Sequence, residues 1–360
     1  MIDLCRDKAQ LAQVEAAVVA VVRSGHYVLG PEVERLEQEL ASYLGCEHAL
    51  TMSSGTDALL CPLMALGIGP GDEVLLPTYS FFATAGVVAR TGAKPVFLDV
   101  EDTFLSLDPQ RLEDALKKHK HVKAVMAVHL FGAPFLVDEI VAICDRAGVP
   151  LIEDAAQAIG TKYKGRMCGS DGRCAGWSTF PTKNLGGIGD GGFFTTDDKK
   201  LAERCRLLRN HGQAELYRHT LVGGNFRMDA IQATALRVKL QSIEKITASR
   251  RQNAERYKKL FADARLTDFA RLPTEVADRH AYHQFVLRVP AAQRDAAITH
   301  LRAQGIGCAV YYPIPFHRQP CFQYLGAAAK DFPVAEQAAA QALALPIFQG
   351  LTEAEQILLD

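Results

Sequence analysis

Residues 149–158 read VPLIEDAAQA, a short apolar run that ends in two acidic residues and several small side chains. A near-continuous apolar run of this length is typical of a strand that is buried on both faces of a sheet. Similar runs occur at 73–77, 94–99 and 122–130, with a weaker one at 192–196. Stretches with helical periodicity separate them, and this alternation predicts a parallel sheet with right-handed crossovers.

The rest of the chain predicts helices around this sheet and a smaller unit after it. Predicted helices span 9–23, 31–44, 56–67, 83–91, 108–119, 135–147 and 229–261. A shift in composition follows, with a strand at 284–289, a helix at 291–304 and a strand at 308–312. We therefore predict an α/β fold: a large domain (1–250) with a mostly parallel central sheet flanked by helices, and a smaller C-terminal α+β domain (251–360).

Composition excludes several classes of protein. The 360 residues are 48% hydrophobic and 22% charged, as in globular proteins, which excludes a disordered chain, collagen and a coiled coil. The net charge of −1 gives no electrostatic footprint for nucleic acid or an anionic membrane. No apolar run reaches the roughly 18 residues of a membrane span. The nine cysteines form no Cys-x-x-Cys or zinc pattern, so we expect reduced thiols, no metal and a cytoplasmic protein.

Three segments could carry chemistry, and each also has an ordinary structural explanation. Asp154 follows a predicted strand, where ligands of α/β sheets bind, but it could also cap a helix. Segment 52–59 (MSSGTDAL) opens an apolar helix with hydroxyls and a glycine, which suits an anion or a simple cap. Segment 178–192 (STFPTKNLGGIGDGG) places Lys183 before a glycine-rich loop, where a lysine either faces inward or is a surface charge. Its spacing fits neither a Walker loop nor a dinucleotide fingerprint.

The combination of these segments is more specific than any one of them. Pyridoxal phosphate sites contain the same residue types in the same order: a Ser-Gly-Thr helix start, an aspartate at a strand end and a later Ser-x-x-x-x-Lys. On these motifs the sequence resembles the DegT/StrS-type sugar aminotransferases, within the fold-type I pyridoxal phosphate enzymes. Further matching motifs lie at 25–32 (GHYVLGPE), 77–84 (PTYSFFAT), 224–229 (GNFRMD) and 312–317 (YPIPFH), so the resemblance covers nearly the whole chain.

The resemblance implies an aspartate-aminotransferase-like fold, pyridoxal 5′-phosphate as cofactor and two catalytic residues. Lys183 stands at the position that forms the Schiff base with the cofactor aldehyde. Its amine, once freed by substrate, would move a proton between the substrate carbon and the cofactor carbon. Asp154 would keep the pyridine nitrogen protonated, which the cofactor needs to withdraw electrons.

Other positions match cofactor contacts of the family. Gln157 would hydrogen-bond the ring hydroxyl, and Phe81 would stack on the ring, although Tyr79 or Phe82 could take that place. Three residues would bind the phosphate: Gly55, Thr56 and Ser178. Asn225 would complete the phosphate site of the neighbouring subunit, unless it is only a loop residue. The resemblance therefore implies a homodimer with shared active sites.

Substrate contacts follow from the resemblance alone. The matching positions are Tyr27, Arg227, Tyr311, Tyr312 and His317. Arg227 could equally form a structural ion pair, and some relatives have a His-Tyr pair where this chain has two tyrosines. The Pro-x-Pro-x-His-x-Gln run at 313–319 favours relatives that aminate a 3-keto sugar over a 4-keto sugar.

The function that the resemblance implies is transfer of an amino group from glutamate, or glutamine, to a keto group of a nucleotide-linked sugar. Such amino sugars serve lipopolysaccharide O-antigens, other surface glycans and antibiotics. A keto-cyclitol aminotransferase of the aminoglycoside type is one alternative. A non-catalytic or regulatory protein that binds the cofactor is another. Sugar dehydratases of the same scaffold carry histidine in place of the lysine, and Lys183 argues against that activity.

Overall fold

The computed structural model describes residues 4–275 and 278–357. Twelve α-helices lie in these ranges: α1 (Lys8–Ser24), α2 (Pro31–Leu44), α3 (Gly55–Ala65), α4 (Ala83–Arg90), α5 (Pro109–Lys118), α6 (Val137–Ala147), α7 (Lys199–Arg209), α8 (Ala230–Leu240), α9 (Ile243–Asp263), α10 (Ala291–Ala303), α11 (Pro333–Gln341) and α12 (Glu353–Ile357). The strands of the same ranges are β1 (His48–Met52), β2 (Glu73–Pro77), β3 (Lys94–Leu98), β4 (Val122–Val128), β5 (Leu151–Asp154), β6 (Lys162–Tyr163), β7 (Arg166–Met167), β8 (Cys174–Ser178), β9 (Gly192–Thr196), β10 (Gln213–Glu215), β11 (Arg218–His219), β12 (Phe285–Arg288) and β13 (Ala342–Leu345).

Seven of these strands form the central sheet, in the order β1-β9-β8-β5-β4-β2-β3. The pairs among β8, β5, β4, β2 and β3 are parallel, whereas β9 pairs antiparallel with both β1 and β8. Helices cover both faces of the sheet, and a separate apolar cluster fills each face. The predicted α/β architecture with a mostly parallel sheet is thus confirmed.

Parallel strands bring the polar residues after them to a single edge of the sheet. In the register of β4 with β5, Val128 lies opposite Asp154, and Asp154 lies opposite Gly176 of β8. β8 ends at Ser178, and the segment that follows β2 comes to the same edge. Most predicted elements, including the weak strand at 192–196, lie within two residues of their predicted bounds.

Two strands of the sheet, β1 and β8, were not predicted. β8 reads CAGWS, and its small residues have low strand propensity. Glycine at position 176 permits close packing there, because an added Cβ would lie 2.5 Å from Leu59 Cδ2 and 3.1 Å from Ala58 O in helix α3. β1 reads HALTM, which shows no clear period.

Two predictions for the second half of the chain were wrong. The predicted helix at 229–261 is two helices, α8 and α9, because the chain turns at residues 241 and 242. The predicted strand at 308–312 forms only an isolated bridge at Ala309, and β13 pairs with β12 instead. The backbone N–H of Tyr312 donates to the hydroxyl of Tyr79 rather than to a neighbouring strand.

The C-terminal part of the chain contains the β12–β13 pair, α10 and α11, and it shares a third apolar cluster with the end of α9. Helix α9 runs without a break through residues 250 and 251. The division into domains at that point stays a prediction. Among the described residues, no helix combines the length and apolarity needed to cross a bilayer.

Candidate active site

A cavity of about 470 Å³ lies at the carboxyl edge of the parallel strands. Nine residues that the sequence predicted as site residues line it: Gly55, Thr56, Phe81, Asp154, Gln157, Ser178, Lys183, Tyr311 and Tyr312. They come from the start of α3, the ends of β5 and β8, and the segments after β2 and before α11. Positions that are far apart in sequence therefore meet in a single cavity.

Asp154 is a buried carboxylate at the end of β5. Its Oδ2 accepts a hydrogen bond from Thr84 Oγ1 at 2.7 Å, and its Oδ1 accepts one from the backbone N–H of Ala156 at 3.2 Å. Burial raises the pKa of Asp154, while both hydrogen bonds and the charge of Lys183 oppose that rise. The two donors therefore stabilise the ionised form of a carboxylate that burial disfavours.

The preceding residue, Glu153, points to the opposite face of the sheet because side chains alternate along a strand. Its Oε2 lies 2.6 Å from His129 Nε2 and accepts a hydrogen bond from the N–H of Gly169 at 2.9 Å. Its Oε1 accepts a hydrogen bond from the N–H of Gly172 at 2.6 Å. Burial lowers the pKa of His129, but contacts with Cys168 and Glu153 outweigh it and raise the pKa to about 10. This buried, charged pair holds the end of β5 from behind the cavity.

Lys183 lies in the loop after β8, half-buried in the wall of the cavity. Burial lowers the pKa of Lys183 to about 8, and the charge of Asp154 opposes this only in part. The glycine-rich loop turns the chain tightly: a Cβ at Gly186 would lie 2.2 Å from Pro181 O, and Lys239 Nζ donates to Gly186 O at 2.7 Å. A neutral lysine amine is a nucleophile, so this environment suits reaction with a carbonyl group.

The N-terminus of α3 and the end of β8 form an anion cradle. Ser54 caps the helix by accepting a hydrogen bond from the N–H of Asp57 at 3.1 Å. A Cβ added to Gly55 would lie 2.6 Å from Ser178 Cβ, so only glycine permits this approach. The N–H groups of a first helical turn and a serine hydroxyl suit a phosphate group.

The three aromatic residues after β2 have different surroundings. Tyr79 is completely buried, and Phe82 stacks on Phe322 with ring centroids 5.7 Å apart. Phe81 lines the cavity and remains 57% exposed, with its centroid 6.2 Å from that of Tyr312. Of the three, Phe81 alone lines the cavity.

Hydrogen bonds connect the residues that form the floor of the cavity. Gln157 Oε1 accepts from the N–H of Phe131 at 2.5 Å, and its Nε2 donates to the hydroxyl of Tyr312 at 3.0 Å. The hydroxyl of Tyr79 donates to Tyr311 O at 2.6 Å and accepts from the N–H of Tyr312 at 2.8 Å. Tyr79 therefore holds both cavity tyrosines at their backbone.

Four predicted site residues lie outside this cavity. The hydroxyl of Tyr27 donates to Val22 O at 3.1 Å, and Arg227 Nη1 donates to Asn210 Oδ1 at 2.6 Å. Asn225 is exposed and pairs with Asn210 through its backbone. His317 is buried, with Nδ1 2.8 Å from Thr78 Oγ1 and Nε2 2.7 Å from Glu336 Oε1, so both ring nitrogens already have partners.

The structure also brings in residues that the sequence did not single out. Thr84 contacts Asp154, and His283 lines the cavity near Lys183. Thr84 lies inside the segment 77–84, where its hydroxyl could have been noted as a partner for a strand-end carboxylate. His283 lies in no recognised motif, and nothing in the sequence indicated it. Among the described residues, no group of three His, Cys, Asp or Glu side chains could hold a metal ion.

Comparison with known proteins covers almost the entire chain. The model of the DegT/DnrJ/EryC1/StrS aminotransferase family matches residues 9–358. The chain is 43% identical to the pleiotropic regulatory protein of Geobacillus stearothermophilus, over 99% of this chain and 95% of that protein. It is 40% identical to UDP-N-acetyl-3-dehydro-alpha-D-glucosamine 3-aminotransferase of Acidithiobacillus ferrooxidans, over 99% and 94%. It is also 40% identical to dTDP-3-amino-3,4,6-trideoxy-alpha-D-glucose transaminase of Streptomyces venezuelae, over 93% and 87%.

Solved structures share the fold. DesV of S. venezuelae superposes with a TM-score of 0.94 at 38% identity, covering 99% of this chain and 94% of that one. NtdA of Bacillus subtilis, with bound cofactor PMP, superposes with a TM-score of 0.90 at 30% identity, covering 98% and 80%. The lysine with its lowered pKa, the buried carboxylate and the anion cradle of the present cavity fit pyridoxal phosphate, the cofactor of these enzymes. The chain belongs to the DegT/DnrJ/EryC1/StrS aminotransferase family and is a pyridoxal phosphate-dependent transaminase.

Proposed function

We propose that this enzyme moves an amino group from glutamate to the 3-keto group of a nucleotide-linked sugar, in amino sugar biosynthesis. The observation that carries the proposal is that the half-buried Lys183 and the buried Asp154 line one open cavity, where burial lowers the pKa of the lysine and raises that of the carboxyl group. When bound, the cofactor supplies an aldehyde that takes up the amino group and a ring that withdraws electrons from the substrate carbon. The protein supplies proton transfer, orientation and charge.

Each part of the cavity has a proposed role in binding or proton transfer. Lys183 holds the cofactor and then moves a proton at the substrate carbon, for which its lowered pKa suits it. Asp154 keeps the ring nitrogen protonated, and the amide of Gln157 contacts the ring hydroxyl. The start of α3 and Ser178 would hold the phosphate, and Phe81, which lines the cavity, would pack on one face of the ring.

The names of the relatives support the 3-position. The A. ferrooxidans enzyme acts on a UDP-linked sugar and the S. venezuelae enzyme on a dTDP-linked one, and both names place nitrogen at carbon 3. Tyr311 and Tyr312 line the cavity and are the proposed sugar contacts in the same chain. The nucleotide differs between these two relatives. The proposal therefore specifies a nucleotide-linked 3-keto sugar but does not specify the base of the nucleotide.

A second candidate function is regulation. It is favoured by the name of the G. stearothermophilus relative, a pleiotropic regulatory protein. A regulatory homologue needs to retain the cofactor but not to turn over, whereas a transaminase needs an ionised Asp154 and a reactive Lys183. A keto-cyclitol acceptor would use the same cofactor chemistry with a different substrate pocket.

The functional experiment follows the visible absorbance of the purified protein with pyridoxal phosphate. Addition of L-glutamate should remove the absorbance of the lysine-bound cofactor, and a nucleotide-linked 3-keto sugar should restore it with formation of an amino sugar detected by mass spectrometry. Lys183→Ala should show neither change. Reaction with the 4-keto isomer alone would contradict the proposed position, and a response to glutamine alone would contradict the donor. Cofactor binding without turnover of any keto sugar or keto-cyclitol would support the regulatory reading.

We also propose a cytoplasmic homodimer in which each active site takes Asn225 from the partner. In its own chain Asn225 is exposed and outside the cavity. Apolar side chains near it are strongly exposed: Leu216 by 78%, Tyr217 by 86% and Val222 by 91%. Exposed apolar groups of this size are typical of an interface between protein chains.

A complementation experiment tests the shared site. Chains with Lys183→Ala and chains with Asn225→Ala are mixed, unfolded and refolded together. A mixed dimer then has one site with both native residues, and random pairing restores about a quarter of the sites. Activity of the mixture that does not exceed the sum of the two separate variants would refute a site shared through Asn225.

A further inference from the structure

The wall segment, residues 309–316, brings Tyr311 and Tyr312 into the active-site cavity. It lies between α10 and α11 in the C-terminal part of the chain. Pro313 and Pro315 carry no backbone N–H, so the segment cannot form a continuous ladder with a neighbouring strand. The position of its two tyrosines therefore depends on other contacts.

Both ends of the wall segment are fixed through the backbone. At one end, the N–H of Ala344 in β13 donates to Ala309 O at 2.8 Å. At the other end, the N–H of Phe316 donates to Thr78 O at 2.8 Å. Thr78 follows β2, so the wall segment runs from the C-terminal part of the chain to the carboxyl edge of the central sheet.

The middle of the wall segment is held by the side chain of Tyr79. Its hydroxyl donates to Tyr311 O at 2.6 Å and accepts from the N–H of Tyr312 at 2.8 Å. Throughout residues 4–275 and 278–357, no other hydrogen bond reaches this carbonyl oxygen or this N–H. Tyr79 is completely buried, and burial raises the pKa of its hydroxyl, which therefore keeps the proton that it donates.

Neighbouring hydrogen bonds also determine the direction in which the hydroxyl of Tyr312 can donate. Gln157 Oε1 accepts from the N–H of Phe131 at 2.5 Å, so its Nε2 faces the hydroxyl of Tyr312, at 3.0 Å. An amide nitrogen only donates, and the oxygen of Tyr312 is therefore the acceptor in this pair. No protein group in the described part of the chain accepts the hydrogen of Tyr312 itself. Burial raises the pKa of Tyr312, so that hydrogen is retained and is available to a ligand in the cavity.

We propose that Tyr79 is a positioning residue for the sugar acceptor: its hydroxyl holds the backbone of Tyr311 and Tyr312 so that the Tyr312 hydroxyl donates to an oxygen of the nucleotide-linked sugar. Tyr79 does not itself line the cavity, so it acts on the sugar through Tyr312. Lys183 and Asp154 make no hydrogen bond with the wall segment within the described ranges, and the effect therefore falls on the acceptor step. The inference rests on the proposed function for the identity of the acceptor.

Hydrogen exchange tests the contact without any substrate. The full-length protein loaded with pyridoxal phosphate is placed in deuterated buffer, and fragmentation mass spectrometry follows the amide of Tyr312. Tyr79→Phe keeps the buried ring but removes the hydroxyl, so this amide should exchange about threefold to tenfold faster. Tyr257→Phe is the matched control, because Tyr257 is also buried and donates to a backbone carbonyl, Pro346 O, at 2.8 Å, but does not line the cavity. It should leave exchange of the Tyr312 amide unchanged.

Stopped-flow absorbance measures the two half-reactions separately. L-glutamate is the donor, and UDP-linked and dTDP-linked 3-keto hexoses are the acceptor probes. In Tyr79→Phe, the KM for the acceptor should rise about threefold to tenfold, whereas the glutamate half-reaction should stay within about twofold of wild type. Tyr312→Phe should show the same division between the half-reactions. In the double variant the loss should not exceed that of Tyr312→Phe alone, because Tyr79 acts through the hydroxyl that is already absent.

Three results would overturn the proposal. Unchanged exchange of the Tyr312 amide in Tyr79→Phe would show that the hydroxyl does not hold the wall segment. Equal slowing of both half-reactions would remove the assignment to the acceptor. Independent, additive losses in the double variant would show that Tyr79 does not act through Tyr312. If no keto sugar is turned over, the proposed function fails, and the exchange measurement still decides whether Tyr79 holds the wall segment.

Discussion

The hydroxyl of Thr84 should determine how readily Asp154 stays ionised. Thr84 Oγ1 donates to Asp154 Oδ2 at 2.7 Å, and both residues are buried. Thr84→Val retains the shape of the side chain but removes the donor. A hydrogen bond to a charged group contributes about 1.5–3 kcal/mol, which at 1.36 kcal/mol per unit corresponds to a rise of about one to two units in the pKa of Asp154.

The sign of the effect follows from the direction of that shift. Burial already raises the pKa of Asp154, and Thr84 opposes it, so removal of the hydroxyl raises the pKa further. A carboxyl group is ionised only above its pKa, so the acidic limb of the pH–rate profile should move to higher pH. Below that limb the ring nitrogen loses its anionic partner, and kcat/KM should fall by about tenfold or more.

The assay is the pH dependence of kcat/KM and of the visible absorbance of the cofactor-loaded protein. Thr84→Ser retains the donor and should behave as wild type. Ser80→Ala is the matched control, because Ser80 Oγ lies 3.1 Å from Thr84 Oγ1 and makes no hydrogen bond with the carboxylate within the described part of the chain. A Thr84→Val enzyme with an unshifted acidic limb would refute the reasoning and leave Thr84 a packing residue.

Three further outcomes are expected. Gly55→Ala should weaken binding of pyridoxal phosphate, measured by equilibrium dialysis, by at least about tenfold, because the new methyl group would meet Ser178 Cβ at 2.6 Å. Glu153→Ala should lower the free energy of unfolding in urea by about 3–5 kcal/mol because it leaves His129 as an unpaired buried charge, while Glu153→Gln should cost less. The rate at which apoprotein takes up pyridoxal phosphate should rise with pH through a midpoint near 8, since the neutral amine of Lys183 reacts and burial lowers its pKa to about 8.

Each of these three predictions has a control variant or a result that would contradict it. Gly69→Ala adds a methyl group that meets Thr91 O at an ordinary 3.6 Å, so it should leave cofactor binding unchanged. Glu203→Ala removes an exposed acid of α7 and should cost little stability. A midpoint above pH 10 for cofactor uptake would show that the cavity does not lower the pKa of Lys183.

The sequence predicts those parts of the fold in which the local pattern of apolar residues agrees with their burial in the folded protein. The parallel strands β2 to β5 are apolar runs between helices, and their pattern alone predicts them. β8 is different: it is a strand because Gly176 allows α3 to pack on the sheet, a contact between segments far apart in the chain. The extended segment at 308–312 has the pattern of a strand, but hydrogen bonds with Tyr79 replace the ladder.

The same distinction applies to the site. The places of Asp154 and Lys183 in the cavity were predictable because one ends a strand and the other belongs to a recognised motif, whereas their roles stay predictions. The choice among Tyr79, Phe81 and Phe82 was not, since all three are aromatic and adjacent, and only their packing separates them. Partners such as Thr84 and His283 follow from tertiary contacts that no local motif encodes.

The arrangement also explains why Asp154 has two neutral donors in addition to a nearby lysine. The charge of Lys183 lowers the pKa of Asp154, but a lysine with a pKa near 8 that also bonds the cofactor is uncharged for much of the reaction. The hydroxyl of Thr84 and the N–H of Ala156 stay in place throughout. The anion that would face the ring nitrogen of the cofactor is therefore stabilised by groups whose hydrogen bonds do not depend on the state of the lysine. It follows that Lys183→Ala should shift the pKa of Asp154 less than Thr84→Val does.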